Sequence, residues 1–119
     1  MTRKNFSSGA AWESTVGYSR AVRVGNLIEV AGTTAVDERG EVVGRDDPYA
    51  QARFALEKIG RVLAEAGAGF ENVIRTRMFV TDIARWEDVG RAHGEIFAAI
   101  RPASTLVQVA SLVRSDLLV

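Results

Sequence analysis

Residues 18–34 decide the fold, and they read Tyr-Ser-Arg-Ala-Val-Arg-Val-Gly-Asn-Leu-Ile-Glu-Val-Ala-Gly-Thr-Thr. Two runs rich in apolar and β-branched residues, 18–24 and 27–34, flank the dipeptide Gly25-Asn26. A two-residue loop that begins with glycine is typical of a β-hairpin, because glycine readily adopts the positive φ that the tight turn requires. The stretch therefore predicts two antiparallel strands. A second turn at residues 37–40 leads into a short apolar run at 41–43.

The next segment predicts a helix that begins at Asp47-Pro48, with Asp as the N-cap and Pro at the first helical position. Gly67 is placed to end it. Phe54 falls almost opposite the buried side, where we expect either an ordinary surface aromatic or a small contact in an oligomer. Apolar residues recur at alternating steps of three and four and predict one buried stripe: Tyr49, Ala52, Leu56, Ile59, Leu63 and Ala66.

The rest of the chain predicts a strand at 73–81, a helix at 84–99 and a strand at 104–110, with another apolar strand beginning at 116–119. In the first of these strands Ile74, Met78 and Val80 share one face, whereas Arg75, Arg77 and Phe79 share the other. The helix is expected to place these residues on one side: Trp86, Val89, His93, Ile96 and Ile100.

A hairpin followed by strand, helix, strand, helix and strand predicts an α+β fold with a mixed sheet and both helices on one face. We expect one domain over residues 1–119, with residues 1–15 as an irregular lead-in. The sheet face away from the helices mixes apolar and charged residues, which is typical of a subunit interface and favours a homo-oligomer. Its expected members are Leu27, Glu29, Ala31, Arg75, Arg77, Phe79, Leu106 and Gln108.

Composition excludes several classes of function. The chain has no cysteine, which excludes disulfide scaffolds, thiolate metal sites and cysteine nucleophiles. Fifteen basic residues balance fifteen acidic ones, so no net charge attracts nucleic acid or an anionic membrane. No apolar run is long enough to span a bilayer, and the N-terminal residues do not resemble a secretion signal. We expect a cytoplasmic protein without membrane or nucleic-acid partners.

His93 is the only histidine. A lone imidazole argues against a transition-metal site, and its place on the apolar stripe favours a buried, hydrogen-bonded core residue over a general base. No Gly-x-Ser-x-Gly elbow or phosphate-binding glycine loop is present, and no cofactor is indicated. Arg75 and Arg77 could hold a ligand carboxylate, or they could pair with Glu29 inside an interface. The residues by themselves identify no reaction.

Four segments of the sequence resemble the RidA/YjgF family in the expected order. They are the hairpin signature at 17–33, the helix segment at 49–56, the strand Arg75-Thr-Arg-Met-Phe-Val-Thr-Asp82, and the segment from Arg101-Pro102-Ala103-Ser104-Thr105 to Ala110. The resemblance covers nearly the whole chain from about residue 16.

The resemblance implies a chorismate-mutase-like fold, assembled as a homotrimer with the sheets facing inward and clefts between subunits. The best-known activity of the family is the hydrolysis of 2-imino or enamine acids to 2-oxo acids and ammonia, without a cofactor. Older descriptions call some members L-PSP endoribonucleases. By position, Tyr18 matches a tyrosine of the cleft, Gly32 with its neighbour Thr33 matches a backbone contact, and Leu106 matches a residue whose backbone meets the ligand.

The sequence departs from the deaminase pattern at two positions. Ser104 stands where the deaminases carry the arginine that holds the substrate carboxylate. The family's water-positioning glutamate lies in a final strand that the residues up to Val119 do not reach, which suggests a shortened sequence. Arg77 is our candidate for the replacement cation. No catalytic residue is assigned.

The leading hypothesis is therefore a homotrimer that hydrolyses, or binds, a small imine- or carbonyl-derived metabolite in its intersubunit clefts. The predicted ligand-binding residues are Tyr18, Gly32, Thr33, Arg77, Ser104 and Leu106. The alternative is a non-catalytic small-molecule-binding or interaction protein on the same fold. An endoribonuclease is a minor alternative, against which the balanced charge and the single histidine argue.

Overall fold

The computed structural model describes residues 2–119, so Met1 of the predicted lead-in lies outside the described residues. The strands and helices confirm the α+β class and alternate as follows: β1 Arg3–Phe6, α1 Ala11–Val16, β2 Ala21–Val24, β3 Leu27–Val30, α2 Pro48–Glu65, β4 Arg75–Val80, α3 Trp86–Phe97 and β5 Ala103–Gln108. Single 3₁₀ turns at Phe70–Asn72 and Ile83–Arg85 precede β4 and α3.

The N-terminal segment corrects the expectation of an irregular lead-in. Arg3–Phe6 forms β1, which pairs antiparallel with β2, and Ala11–Val16 forms α1. Phe6 is buried against Ala21 in the core. These four residues include a single apolar side chain, so the sequence shows no alternation that would predict a strand. The segment is a strand because it pairs with the edge of β2.

The hairpin prediction is confirmed, with shorter strands than expected. In the β2–β3 register Ala21 faces Val30 and Val24 faces Leu27. Gly25 has a φ of 59°, the left-handed conformation that the turn requires. Residues 31–36 leave the sheet as a loop, and the predicted turn at 37–40 is closed by a 3.0 Å bond from the Gly40 N–H to the Asp37 carbonyl.

Helix α2 packs against both halves of the molecule. Asp47 caps its start by accepting a 3.0 Å bond from the Ala50 N–H, and Gly67 ends it with a φ of 87°. The predicted stripe is confirmed at Ala52, Leu63 and Ala66, whereas Tyr49, Leu56 and Ile59 are only half-buried, as is Phe54. The C-terminal half packs on β1–β3, and the N-terminal half packs on β4 and α3.

The prediction placed Leu106 and Gln108 of β5 on the face away from the helices, and this placement is wrong. Strand β5 pairs parallel with β4, so Leu106 lies beside Met78 and Gln108 lies beside Val80. Partners in a parallel pair point to the same face, and Met78 and Val80 belong to the core under the helices. Leu106 therefore packs into that core, and neither Leu106 nor Gln108 lies on the outer face. Trp86, expected on the buried side of α3, is 51% exposed.

The strands form two sheets rather than one continuous sheet. One is antiparallel, in the order β1-β2-β3, and the other is the parallel pair β4-β5. A groove of about 830 Å³ separates β3 from β4, and residues of α2 and α3, among them Leu56, Ile59 and His93, line it. Polar residues line both sides of this groove, among them Thr33 on the side of β3 and Thr76 on the side of β4.

The C-terminal residues 117–119 do not form the predicted strand within the described chain. Leu117 is fully buried, and the Thr81 N–H donates a 3.1 Å bond to the Leu118 carbonyl. Gln51, also fully buried, accepts a 2.8 Å bond from the Leu118 N–H and donates a 2.9 Å bond to the Asp116 carbonyl. One glutamine side chain thus anchors this segment to α2.

The outer face of the sheets, away from the helices, exposes large apolar side chains. Leu27 is 61% exposed, Phe79 46% and Val107 39%. Among residues 2–119, no helix is long and apolar enough to cross a membrane.

Candidate functional site

The six predicted ligand-binding residues divide between the two sheets and the segments that flank them, and three of them, Gly32, Thr33 and Arg77, line the groove. Tyr18, Gly32 and Thr33 belong to the side of the antiparallel sheet, and the other three belong to the β4–β5 side. The structure connects the first three through a residue that the sequence analysis did not select, Arg20.

Arg20 lies at the centre of the first group. Its Nη1 atom donates a 2.7 Å bond to the Gly32 carbonyl and a 2.9 Å bond to the Thr33 hydroxyl. The guanidinium also lies 5.6 Å from the centre of the Tyr18 ring, within cation–π range. Arg20 is only 9% exposed, so these contacts form in a largely desolvated setting where they are strong. One side chain therefore fixes three predicted site residues together.

Glu13, on α1, provides the negative charge behind Arg20. Its carboxylate lies 4.0 Å from the Arg20 Nε and is 5% exposed. It accepts hydrogen bonds from the Ser7 hydroxyl, at 2.8 Å, and from the Ser8 N–H and hydroxyl. Burial raises the pKa of Glu13, but the bonds from Ser8 and Ser7 and the charge of Arg20 outweigh it, so that its pKa lies below the ordinary value. Glu13 is thus an anion inside the fold, and α1 positions it beside Arg20. We call Glu13, Arg20, Gly32 and Thr33 the Arg20 network.

Lys58, on α2, holds the same loop from another side. Its ammonium donates bonds of 3.1 Å to the Thr34 carbonyl and 3.0 Å to the Val36 carbonyl. Burial, together with the charges of Arg20 and Arg61, lowers the pKa of Lys58. The carbonyls of Gly32, Thr34 and Val36 therefore all accept hydrogen bonds from a positively charged side chain, either Arg20 or Lys58.

The N–H groups of this loop remain available to a ligand. Within residues 2–119, the N–H groups of Gly32, Thr33 and Thr34 donate no hydrogen bond. Successive free N–H groups with positive charge behind them favour an anionic oxygen.

The second group is a short chain of hydrogen bonds across β5, β4 and α3. The Thr76 hydroxyl lies 2.8 Å from the Ser104 hydroxyl and 2.9 Å from His93 Nε2. The imidazole packs on Phe97, with ring centres 4.6 Å apart, and Phe97 meets Phe70 edge to face at 5.4 Å. We call His93, Thr76 and Ser104 the His93 network.

His93 is half-buried rather than fully buried, and it is hydrogen-bonded as predicted. Burial lowers its pKa, so the ring is mainly neutral at neutral pH. The sequence did contain a signal for this network. Thr76 is a lone polar residue between Ile74 and Met78 on an apolar strand face, and His93 is a lone polar residue on an apolar helix stripe. Two isolated polar residues on facing apolar surfaces need each other as hydrogen-bond partners.

Arg77 does not join Ser104 within the chain. Ser104 is the register partner of Thr76 and shares its face, whereas Arg77 is the partner of Thr105 on the opposite face. Among residues 2–119, neither Arg75 nor Arg77 forms an ion pair with Glu29, and Arg75 instead donates a 2.6 Å bond to the Thr105 hydroxyl. The ligand-binding role of Arg77, like that of Leu106, stays a prediction.

The described part of the chain holds no group of three or more His, Asp or Glu side chains arranged to bind a metal ion.

The fold has close counterparts among solved structures. A crystal structure of a YjgF/YER057c/UK114 family member from Mycobacterium tuberculosis matches with a TM-score of 0.89 and 47% identity, covering 98% of this chain and 92% of that one. The molecule therefore has the YjgF fold.

Sequence relatives give the family. A family model described as Endoribonuclease L-PSP matches residues 8–119. A protein of Streptomyces coelicolor is 40% identical over 117 residues, covering 98% of this chain and 86% of the relative. The 3-aminoacrylate deaminase RutC of Acinetobacter baylyi is 34% identical over 102 residues, covering 86% of this chain and 80% of the relative. The chain belongs to the RidA/YjgF family, which confirms the resemblance drawn from the sequence.

Proposed function

We propose that the protein binds a small carboxylate-bearing imine or enamine and hydrolyses it to an oxo acid and ammonia. The observation that carries this proposal is the loop at Gly32–Thr34, whose N–H groups donate no hydrogen bond within residues 2–119, while Arg20 holds the Gly32 carbonyl and Lys58 holds the Thr34 carbonyl. A relative named 3-aminoacrylate deaminase, an enzyme for an enamine acid, supports the same ligand class.

In this mechanism the loop binds and orients the ligand oxygen that carries negative charge. An enamine first tautomerises to the imine, gaining a proton at its β-carbon and losing one from nitrogen. Water then adds to the carbon of the C=N bond and one of its protons passes to the nitrogen. In the resulting carbinolamine the hydroxyl proton moves to the nitrogen as the C–N bond breaks, which releases ammonia and leaves a carbonyl group. No covalent enzyme intermediate is required. Preorganised N–H donors contribute because they need no reorientation as charge develops on the ligand.

We further propose that the site is completed between copies of the chain in a homotrimer. Within residues 2–119 no hydrogen bond joins the Gly32–Thr34 loop to Ser104, because the loop follows β3 of one sheet whereas Ser104 lies in β5 of the other. The exposed apolar side chains of Leu27, Phe79 and Val107 give the outer face the character of a self-association surface. Light scattering coupled to gel filtration tests this: three times the 12.9 kDa chain mass is expected, and a monomer would contradict it.

The direct test is ammonia release from freshly generated 2-imino acids and from 3-aminoacrylate. We expect turnover by the wild type and tighter substrate binding, by roughly one to two powers of ten, in Ser104→Arg, because a guanidinium adds charged donors for the carboxylate. Ser111→Arg is the matched control, since Ser111 is exposed and lies in neither network.

The outcomes separate the two leading functions. Activity gained only in Ser104→Arg would favour a binding protein whose natural ligand is not an imino acid. No turnover by either protein would contradict the deaminase proposal.

A further inference from the structure

We infer that His93, acting through Thr76, sets the direction of the Ser104 hydroxyl, so that Ser104 presents its proton to an anionic ligand oxygen such as a carboxylate. This inference deepens the proposed function and rests on it for the ligand class. His93 and Thr76 are positioning residues in this arrangement, and Ser104 is the group that meets the ligand.

The argument begins with the proton count at Thr76. A threonine hydroxyl has one proton to donate, yet Thr76 Oγ1 lies within hydrogen-bond distance of both His93 Nε2, at 2.9 Å, and Ser104 Oγ, at 2.8 Å. Thr76 can therefore donate to only one of these partners and must accept from the other. The three groups therefore form a chain of hydrogen bonds in which the protons are donated either from His93 towards Ser104 or from Ser104 towards His93.

Two directions are available, and they give Ser104 opposite properties. If Thr76 donates to Ser104, then His93 Nε2 must carry a proton and donate it to Thr76, and the Ser104 proton is free for a ligand. If Ser104 donates to Thr76, then Nε2 is unprotonated and Ser104 offers a ligand only lone pairs. A carboxylate has only acceptors, so the first direction binds it and the second repels it.

The structure favours the first direction. The 2.8 Å distance between the two hydroxyls fits either direction, and so does the 2.9 Å distance from Thr76 to Nε2, so the direction is set by which ring nitrogen of His93 carries the proton. The other ring nitrogen, Nδ1, makes no hydrogen bond within residues 2–119, so a proton placed there would lack an acceptor in the protein. An N–H group without a partner is rarer in folded proteins than an acceptor without one. Packing on Phe97 limits the ring orientations that could exchange the two nitrogens.

The exposure of the three residues fits this role. His93 and Thr76 are half-buried, and Ser104 is exposed at the end of the chain of bonds. The half-buried His93 and Thr76 set the direction of the hydrogen bonds, and the exposed Ser104 hydroxyl is left to donate its proton to the ligand. This gives Ser104 a fixed donor at the position where the resemblance places an arginine, although without the charge.

The first part of the test reads the direction without any ligand. Because the protein has one histidine, ¹⁵N NMR of labelled wild-type protein at neutral pH reports the tautomer of His93 alone. We expect Nε2–H to predominate in the wild type and the preference to weaken in Thr76→Val. Predominance of Nδ1–H in the wild type would overturn the inference.

The second part measures the affinity for pyruvate, used as a simple 2-oxo acid. We expect Ser104→Ala to lose about 10-fold, the value of one hydrogen bond to a charged acceptor, and Thr76→Val to lose less, because it keeps the Ser104 proton and removes only what orients it. If Thr76 acts through Ser104, the double variant loses no more than Ser104→Ala alone. Additive losses would overturn the inference. His93→Gln retains a side-chain N–H donor and is expected to bind within about twofold of wild type, whereas His93→Leu loses about as much as Thr76→Val.

Thr105→Val is the matched control, because Thr105 is adjacent in β5 but points to the opposite face and bonds to Arg75. The two proposals fail separately. Wild-type protein that shows the Nε2–H tautomer but binds no pyruvate or other small carboxylate would contradict the proposed ligand class, and the tautomer alone would then decide the direction of the Ser104 hydroxyl. Protein that binds pyruvate with an Nδ1–H tautomer would retain the function and refute the inference.

Discussion

The Arg20 network and the His93 network lie on opposite sides of one groove, and they are held together by different kinds of interaction. The first is buried and ionic: Glu13 and Arg20 are each less than 10% exposed and hold a backbone loop. The second consists of three neutral groups that end at an exposed hydroxyl. Buried charges are expensive to leave without partners, whereas neutral hydroxyls near solvent are not. The comparison predicts that stability depends on one side and that ligand recognition is adjusted on the other.

Replacing the buried carboxylate should have the largest effect. We expect Glu13→Gln to lower the free energy of unfolding by about 3 kcal/mol, because it preserves the shape but leaves Arg20 buried without its counter-charge. Urea unfolding at neutral pH measures the change. Glu38→Gln, at an exposed carboxylate, is the control and should stay within about 0.5 kcal/mol of wild type. An equally small change in Glu13→Gln would show that the Arg20 network is not an ionic support of the fold.

The same variant predicts a pH dependence of definite sign. The pKa of Glu13 is lower in the folded protein than its ordinary value of 4.5, so the folded state binds fewer protons than the unfolded state between the two values. Its contribution is complete above the unfolded pKa and is lost as the pH falls through the folded one. The stability difference between wild type and Glu13→Gln should therefore be largest at pH 7 and shrink below about pH 4. A difference that grows on acidification would contradict the assignment of a carboxylate anion.

Replacing Lys58 should have an intermediate effect on the free energy of unfolding and should also weaken ligand binding. Lys58→Met removes two hydrogen bonds to the loop carbonyls, so we expect a loss of about 1–2 kcal/mol in unfolding free energy. The N–H groups of Gly32–Thr34 would also be less well ordered, and we expect pyruvate affinity to fall by about three- to tenfold. Lys4→Met, at the only other lysine, is the control. Unchanged affinity with lowered stability would separate the loop from the ligand site.

The fold was predictable wherever local chemistry and periodicity agree. Gly25-Asn26 specified the hairpin turn, and Asp47-Pro48 and Gly67 specified both ends of α2. Strand β1 was not predictable, because its four residues show no alternation and its state depends on pairing with β2. The outward assignment of Leu106 failed for a related reason. The face to which each β5 side chain points is set by the register of β5 with β4. The paired residues of these two strands are about thirty positions apart in the sequence, so no local pattern shows their register.

The residues of the candidate site and the residues that hold them were found in different ways, and the ligand-binding roles of the former stay predictions. Gly32 and Ser104 came from the resemblance, whereas Arg20, Glu13 and Lys58 came only from the structure. These three residues lie on different elements, and sequence spacing does not show which charges will be buried together. Thr76 and His93 form the exception, since each is a lone polar residue on an apolar face and could have been paired by that argument.

We expect substitutions in the His93 network to have the smallest effect on stability. A small effect would distinguish this network from the Arg20 network. Ser104→Ala and Thr76→Val remove neutral hydroxyls, one exposed and one half-buried, so we expect losses of at most about 1 kcal/mol in unfolding free energy. Thermal and urea unfolding of both variants beside Glu13→Gln measure this directly. If either hydroxyl variant lost as much stability as Glu13→Gln, the network would be part of the folding core, and any loss of ligand affinity in it would follow from altered structure. A small loss of stability accompanied by a tenfold loss of affinity in Ser104→Ala would instead mean that this side of the groove is shaped for its ligand and that the fold depends on the other side.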